Sequence, residues 1–163
     1  MRFTIRQARP DDAELLTDLC MRSKQSNGYD DAFMALCVEE LRVTEKRLRD
    51  DLFLVSEAEG GGICGCASLN IEEDGTTGEV KTFFVDPDWK RQGVGRQLWQ
   101  ALSQTILEQQ LSKVHLDADP SAVPFYQSLG FEVTGQVPSG SIPGRSLPYM
   151  ELNTDEPGRR PDA

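Results

Sequence analysis

Val94, Leu98, Leu102 and Ile106 stand four residues apart, so a helix over Gly93 to Gln109 would carry them as one apolar stripe. The chain just before has a different period. Leu52 to Ser56, Ile63 to Ile71 and Glu79 to Val85 are short strand-like runs, divided by Glu59-Gly60-Gly61-Gly62 and Glu72-Glu73-Asp74-Gly75. Such a pattern predicts an antiparallel meander that feeds a long helix. Phe3 to Ala8 alternates as a first strand, and Pro10-Asp11-Asp12 opens a helix bearing Leu15, Leu16, Leu19 and Cys20. After Ser26-Asn27-Gly28 a second helix brings Phe33, Leu36, Cys37, Glu40 and Leu41 onto related turns, and the polar run Thr44 to Asp50 is helix-prone. Downstream, Lys113 to Ala118 is a strand, and Asp119-Pro120 caps a short helix that ends at Gly130. Phe131 to Val137 and Leu147 to Leu152 complete the strands. The expected order is β-α-α-β-β-β-α-β-α-β-β. This predicts one α+β domain over residues 1–153, its helices flanking a mostly antiparallel sheet of about seven strands. The polar residues 154–163 are expected to be a disordered tail.

A formal net charge of −10 over 163 residues disfavours nucleic-acid binding, which depends on neutralising phosphates. It suits a cationic partner as well as simple solubility. No apolar run reaches the roughly 20 residues of a membrane span, and Met1 to Arg6 alternates rather than forming a secretory signal. Cytoplasm is therefore the default location, with no membrane partner. Of the cysteines Cys20, Cys37, Cys64 and Cys66, only Cys64-Gly65-Cys66 are close together. In an extended strand their side chains would point the same way, too tightly spaced for usual metal geometry. Buried free thiols and no metal are expected.

The segment Lys90-Arg91-Gln92-Gly93-Val94-Gly95-Arg96 carries the most chemical information. A strand ends at Val85-Asp86-Pro87, and two glycines then open the long helix. Unpaired amides at a helix start converge on an anion, and the dipole favours negative charge there. Glycine lets a phosphate approach the backbone without a Cβ in the way. Arg91 and Arg96 add positive charge. The Gly-Lys-Ser/Thr of a phosphate-loop NTPase is missing, because Arg96-Gln97 follows Gly95. The dinucleotide fingerprint would need a third glycine where Leu98 stands.

A second block lies about 30 residues downstream, Phe125-Tyr126-Gln127-Ser128-Leu129-Gly130-Phe131. The two blocks in this order, with a strand between them, resemble the GNAT superfamily of N-acetyltransferases over roughly residues 3 to 152. Lys90 departs from the family's Gln or Arg at that place. The resemblance implies a V-shaped opening between two central strands that admits acetyl-CoA. The backbone of Phe83, Phe84 and Val85 would pair with the pantetheine arm, and the amides of Arg91, Gln92, Gly93, Val94, Gly95 and Arg96 would hold the pyrophosphate.

The implied reaction is direct attack on the thioester by a primary amine of a small molecule or peptide. Tyr126 matches the family tyrosine near the sulfur and is expected to be a general acid or sulfur hydrogen-bond donor, unless it only packs on the pantetheine. Glu79 stands where some relatives keep a general base, with Asp117 in reserve, and His115 reads as structural. Counted at period two, Glu79, Lys81, Phe83 and Val85 share a face. Tyr29, Asp30 and Arg145 are the polar candidates for the acceptor side. A non-catalytic acyl-CoA-binding module is the competing reading, and Tyr126 argues for turnover. A cysteine nucleophile would need His115 as its base. Homodimers are common in the family.

Overall fold

The computed structural model describes residues 3–154. Seven strands are joined in a single sheet in the order β1-β2-β3-β4-β5-β7-β6. They are β1 (Phe3–Gln7), β2 (Leu52–Ala58), β3 (Ile63–Ile71), β4 (Thr77–Val85), β5 (Lys113–Asp117), β6 (Glu132–Pro138) and β7 (Ser146–Asn153). Every neighbouring pair is antiparallel except β4 and β5. The helices are α1 (Ala13–Gln25), α2 (Asp31–Leu41), α3 (Glu45–Asp50), α4 (Val94–Glu108) and α5 (Val123–Ser128). The expected α+β order therefore holds with one addition, since the helix-prone run before β2 folds into α3, capped by Thr44 on the amide of Arg47.

The two faces of the sheet bury two separate clusters. On one face α4 lays down Val94, Leu98, Leu102 and Ile106, each 1% exposed or less, against Ala67, Leu69, Val114 and Leu116. On the other, Leu16, Leu19, Cys20 and Val43 cover Phe53, Val55 and Cys66. The apolar stripe of α4 is as the four-residue spacing predicts. The stripe of α1 is narrower, because Leu15 is 60% exposed. In α2, Met34 and Cys37 are buried while Leu36 faces outward. Gly65 lets α4 approach β3, since a Cβ there would stand 2.8 Å from Val94 Cγ1.

Leu98→Ala is expected to cost about 2–5 kcal/mol of stability, because the cavity it leaves lies between a helix and a sheet that cannot both relax. Leu15→Ala is expected to stay within about 0.5 kcal/mol. Urea unfolding of the two variants checks the contrast.

Two irregularities change side-chain parity where the sequence implies strict alternation. Ser56 pairs with Gly65 but Glu57 with Ile63, so Cys64 is an extra residue in β3. Cys64 consequently packs in the α4 cluster while Cys66 packs in the other, where its sulfur lies 3.9 Å from Cys20. The expectation that Cys64 and Cys66 point the same way is thus corrected. All four cysteines are free and buried. Thr154, assigned to the tail by its polarity, is instead buried and bonded to Ser112 and Leu111. The remainder of the expected tail, residues 155–163, lies outside the described residues. No helix among the described residues is long and apolar enough to cross a membrane.

Candidate functional site

The opening between β4 and β5 follows from how far they pair. Among the described residues their contact covers only Thr77↔Lys113, Gly78↔Val114 and Glu79↔His115. Beyond Glu79, β4 continues to Val85 on its β3 partner alone, while Leu116 and Asp117 of β5 keep only their β7 partners. One backbone edge of residues 80–85 is left without a β5 neighbour, and such an edge is a template for an added extended ligand.

A second extra residue sits on this edge. Val80 pairs with Leu69 and Thr82 with Ser68, so Lys81 is a bulge. The expectation that Glu79, Lys81, Phe83 and Val85 share a face is corrected accordingly. Phe83 and Val85 join Val80 on the α4 side, whereas Glu79 lies with Thr82 and Phe84 on the side of α1 and α3. The bulge therefore puts the carboxylate of Glu79 and the ring of Phe83 on opposite faces, two turns of the pleat apart.

A cavity of about 810 Å³ runs along the splayed strands from Glu40, Leu41 and Arg47 at one end to Arg91, Gly93 and Arg96 at the other. At the second end, Asp86 accepts from the amide of Asp88 at 2.9 Å and from Arg22 at 2.6 Å, fixing the turn after β4. Arg91 and Gly93 both adopt positive φ, +63° and +86°, which curls the backbone into the start of α4. The first carbonyl used inside α4 is that of Gly93, taken by the amide of Gln97. The amides of Val94, Gly95 and Arg96 thus stand ahead of the helix's own ladder. A Cβ on Gly93 would meet nothing within 4 Å, so open space fronts this turn. Gly95 also has a packing reason to be glycine: a Cβ there would stand 3.2 Å from the Phe125 ring.

Tyr126 lines the same cavity from α5. Its ring is 8% exposed and stands edge-on to Phe83, Phe125 and Phe131, with centroids 6.0, 5.5 and 5.8 Å away. The hydroxyl has no hydrogen bond among the described residues. Burial first, and the Asp119 carboxylate second, push its phenol well above the usual value of 10. It therefore stays protonated, a donor held in an apolar setting.

Glu79 and Asp117 also line the cavity. Burial raises the Glu79 carboxyl above the ordinary carboxylate range, while His115 and Lys81 pull it back. Asp117 is raised by burial as well. His115 is register partner to Glu79 and bonds Glu72 through Nε2 at 2.5 Å, leaving Nδ1 buried with no partner among the described residues. Glu72, Glu79 and His115 each bring one donor atom within 4.8 Å of the others, a grouping invisible to cysteine spacing.

The three acceptor-side candidates fall outside the lining. Asp30 caps α2, accepting from the amide of Phe33 at 2.8 Å. Tyr29 and Arg145 bond each other and converge on Asp119, a residue that the sequence shows only as a helix cap. Lys24 and Asp119 line the cavity in their place. Lys24, Asn27, Glu40 and Arg47 carry no motif, and no sequence signal singles them out.

An acetyltransferase (GNAT) domain model matches residues 21–140. Human N-acetyltransferase 8 is 33% identical over 112 residues, which are 63% of this chain and 49% of that protein. This chain thus spans about half the length of that relative. The solved PaiA N-acetyltransferase of Thermoplasma acidophilum, in complex with coenzyme A, superposes with a TM-score of 0.76 at 20% identity, covering 94% of this chain and 99% of that one. This likeness is one of fold. YncA of Salmonella typhimurium, solved with its cofactor acetyl-CoA, gives 0.68 at 26% identity and 96% coverage of both chains.

Proposed function

The chain belongs to the GNAT acetyltransferase family, and from that premise we propose that it moves an acetyl group from acetyl-CoA to a primary amine of a small molecule or peptide. The observation that carries this reading is the free β4 edge over residues 80–85, which leads straight into the turn at Arg91 to Arg96. An extended pantetheine suits the edge, with Phe83, Phe84 and Val85 offering backbone partners. Arg91, Gln92, Gly93, Val94, Gly95 and Arg96 would take the pyrophosphate on amides, with two guanidinium groups close by.

In this reading the amine attacks the thioester directly. The ammonium first gives one proton to Glu79, directly or through water; a C–N bond then forms as the C–S bond breaks, and the second N–H proton, lost as the amide forms, reaches the departing thiolate through solvent. Asp117 is the alternative acceptor of the first proton. Tyr126 faces the leaving sulfur. A phenol above its usual pKa is a poor proton source, so its part is to hydrogen-bond the developing thiolate rather than hand over its proton completely. No step here calls for a metal. A cysteine nucleophile finds no support, since all four thiols are buried and burial raises that of Cys64. Lys24, Glu40 and Arg47 would border the acceptor, with Tyr29, Asp30 and Arg145 supporting them from outside the lining. Four free thiols suit a reducing cytoplasm. Light scattering tests the homodimer that this family leads one to expect.

Two measurements test the reading. Millimolar acetyl-CoA should raise the melting temperature, and free thiol should appear when amines, amino acids, peptides and aminoglycosides are screened with it. No thermal shift would sink the donor assignment; a shift with no thiol release from any amine would favour a binding module. The pH profile is a finer check. A base works deprotonated, so the rate should fall as pH drops through the Glu79 value, which lies above the ordinary 4.5. Glu79→Gln should flatten that acidic limb. A limb unchanged in the variant would pass the role to Asp117 or water.

A further inference from the structure

One carboxylate ties together three segments that are far apart in sequence. Asp119 Oδ2 accepts from the hydroxyl of Tyr29 at 2.8 Å and from Lys24 at 3.4 Å, both from the α1–α2 region. Arg145, from the β6–β7 connection, donates to the Tyr29 oxygen at 2.6 Å and comes within 3.9 Å of the same Asp119 oxygen. Its guanidinium also lies 5.1 Å over the Tyr29 ring and 5.0 Å over the Phe33 ring, which stack on each other 7° from parallel. The other oxygen, Oδ1, faces the opposite way. It takes the Ser121 amide at 3.0 Å and the Ser121 hydroxyl at 2.7 Å, fixing the turn Pro120–Ala122 that runs directly into α5. These hydrogen bonds outweigh the burial of Asp119 and hold its carboxyl below the usual range, so it remains an anion with both oxygens engaged.

We propose that Tyr29 and Arg145 act on acetyl transfer through Asp119, as positioning residues that hold α5, and with it Tyr126, in register with the acceptor side of the cavity. The proposal rests on the donor role given to Tyr126 above. Neither Tyr29 nor Arg145 lines the cavity, so neither needs to touch a substrate. The acceptor-side segments are bound to one oxygen of Asp119 and the helix of Tyr126 to the other. Loosening the first set slackens the turn that enters α5, and the phenol stands on the fourth residue of that helix. The connection that holds Arg145 is itself braced, by Ser139 on the amides of Ser141 and Ile142 at 3.2 and 3.0 Å. Arg145 is therefore presented from a fixed loop.

The test is Tyr29→Phe, which removes one oxygen and keeps the ring stack, made both in the wild-type protein and in Tyr126→Phe. In the wild-type background kcat is expected to fall about ten-fold, the scale of one lost charged hydrogen bond, with acetyl-CoA affinity held within about two-fold. In Tyr126→Phe the same change should cost less than about two-fold, because the group being positioned has already lost its hydroxyl. Arg145→Ala should follow the same pattern, and Arg145→Lys should recover part of the loss. An equal loss in both backgrounds, or a change confined to melting temperature or to the KM of the amine, overturns the proposal. Amide exchange is independent of turnover. Tyr29→Phe should speed exchange over residues 121–128 at least about five-fold while leaving α4 unchanged, and unchanged exchange there overturns it. If the wild type releases no thiol with any amine, the acetyl-transfer reading fails first, and the exchange measurement still decides whether Asp119 transmits.

Discussion

Gly93→Glu is expected to abolish acetyl-CoA binding while the domain stays folded. At φ +86° this residue starts the turn into α4, and a Cβ there meets no protein atom within 4 Å. The larger side chain therefore disturbs no packing. Its cost to the fold is the left-handed backbone, about 1–2 kcal/mol for a residue with a Cβ, which a domain of this size can tolerate. The new carboxylate would instead occupy the open space in front of the amides of Val94, Gly95 and Arg96, where the pyrophosphate is proposed to lie. It would repel that group and could itself accept from the amides. Calorimetry should show affinity weakened by at least about 100-fold, corresponding to roughly 2.7 kcal/mol. Gly93→Asn tolerates the same φ with a neutral side chain and should lose far less. A folded Gly93→Glu protein that binds acetyl-CoA normally would remove the cradle from Arg91 to Arg96.

Tyr126→Phe should lower kcat about 100-fold and leave acetyl-CoA affinity nearly unchanged. The ring keeps its edge contacts with Phe83, Phe125 and Phe131, so packing survives. The missing hydroxyl leaves no protein partner unsatisfied among the described residues, and stability should change by less than about 1 kcal/mol. What disappears is the hydroxyl proposed to donate to the sulfur as negative charge develops there. Since that phenol lies above its usual value of 10, the wild-type rate should show no alkaline limb from Tyr126 below that pH. Turnover that survives the substitution would reduce Tyr126 to a packing residue.

Much of the candidate site is legible in the sequence where it consists of backbone. Gly93 and its neighbours lie at a helix start wherever the flanking strand and stripe put them, and the four-residue spacing of Val94, Leu98, Leu102 and Ile106 places that helix. Tyr126 is found by its surrounding block. The residues at the other end of the cavity are different. Glu40 and Arg47 come from two helices with no shared motif, and nothing local marks a side chain that meets another only after the helices pack. Tyr29 and Arg145 show the same limit from the other side. Their residue types attract attention in the sequence, yet in the fold they turn to Asp119 and to each other.

The period of the apolar residues and the punctuation of glycine and proline determined by themselves the α+β class, the seven strands and the place of the long helix, because burial on a strand or helix repeats every two or about 3.6 residues. The same local chemistry marked the turn at Gly93 as the place proposed here for an anion. Only the tertiary structure decided which face each side chain of β4 takes. One extra residue at Lys81 reverses the alternation, and a bulge is a property of two paired strands rather than of either alone. It likewise decided where β4 and β5 part company, and with that the opening itself. The parting of β4 and β5 depends on pairing between segments separated by the whole of α4, a contact that no local period encodes.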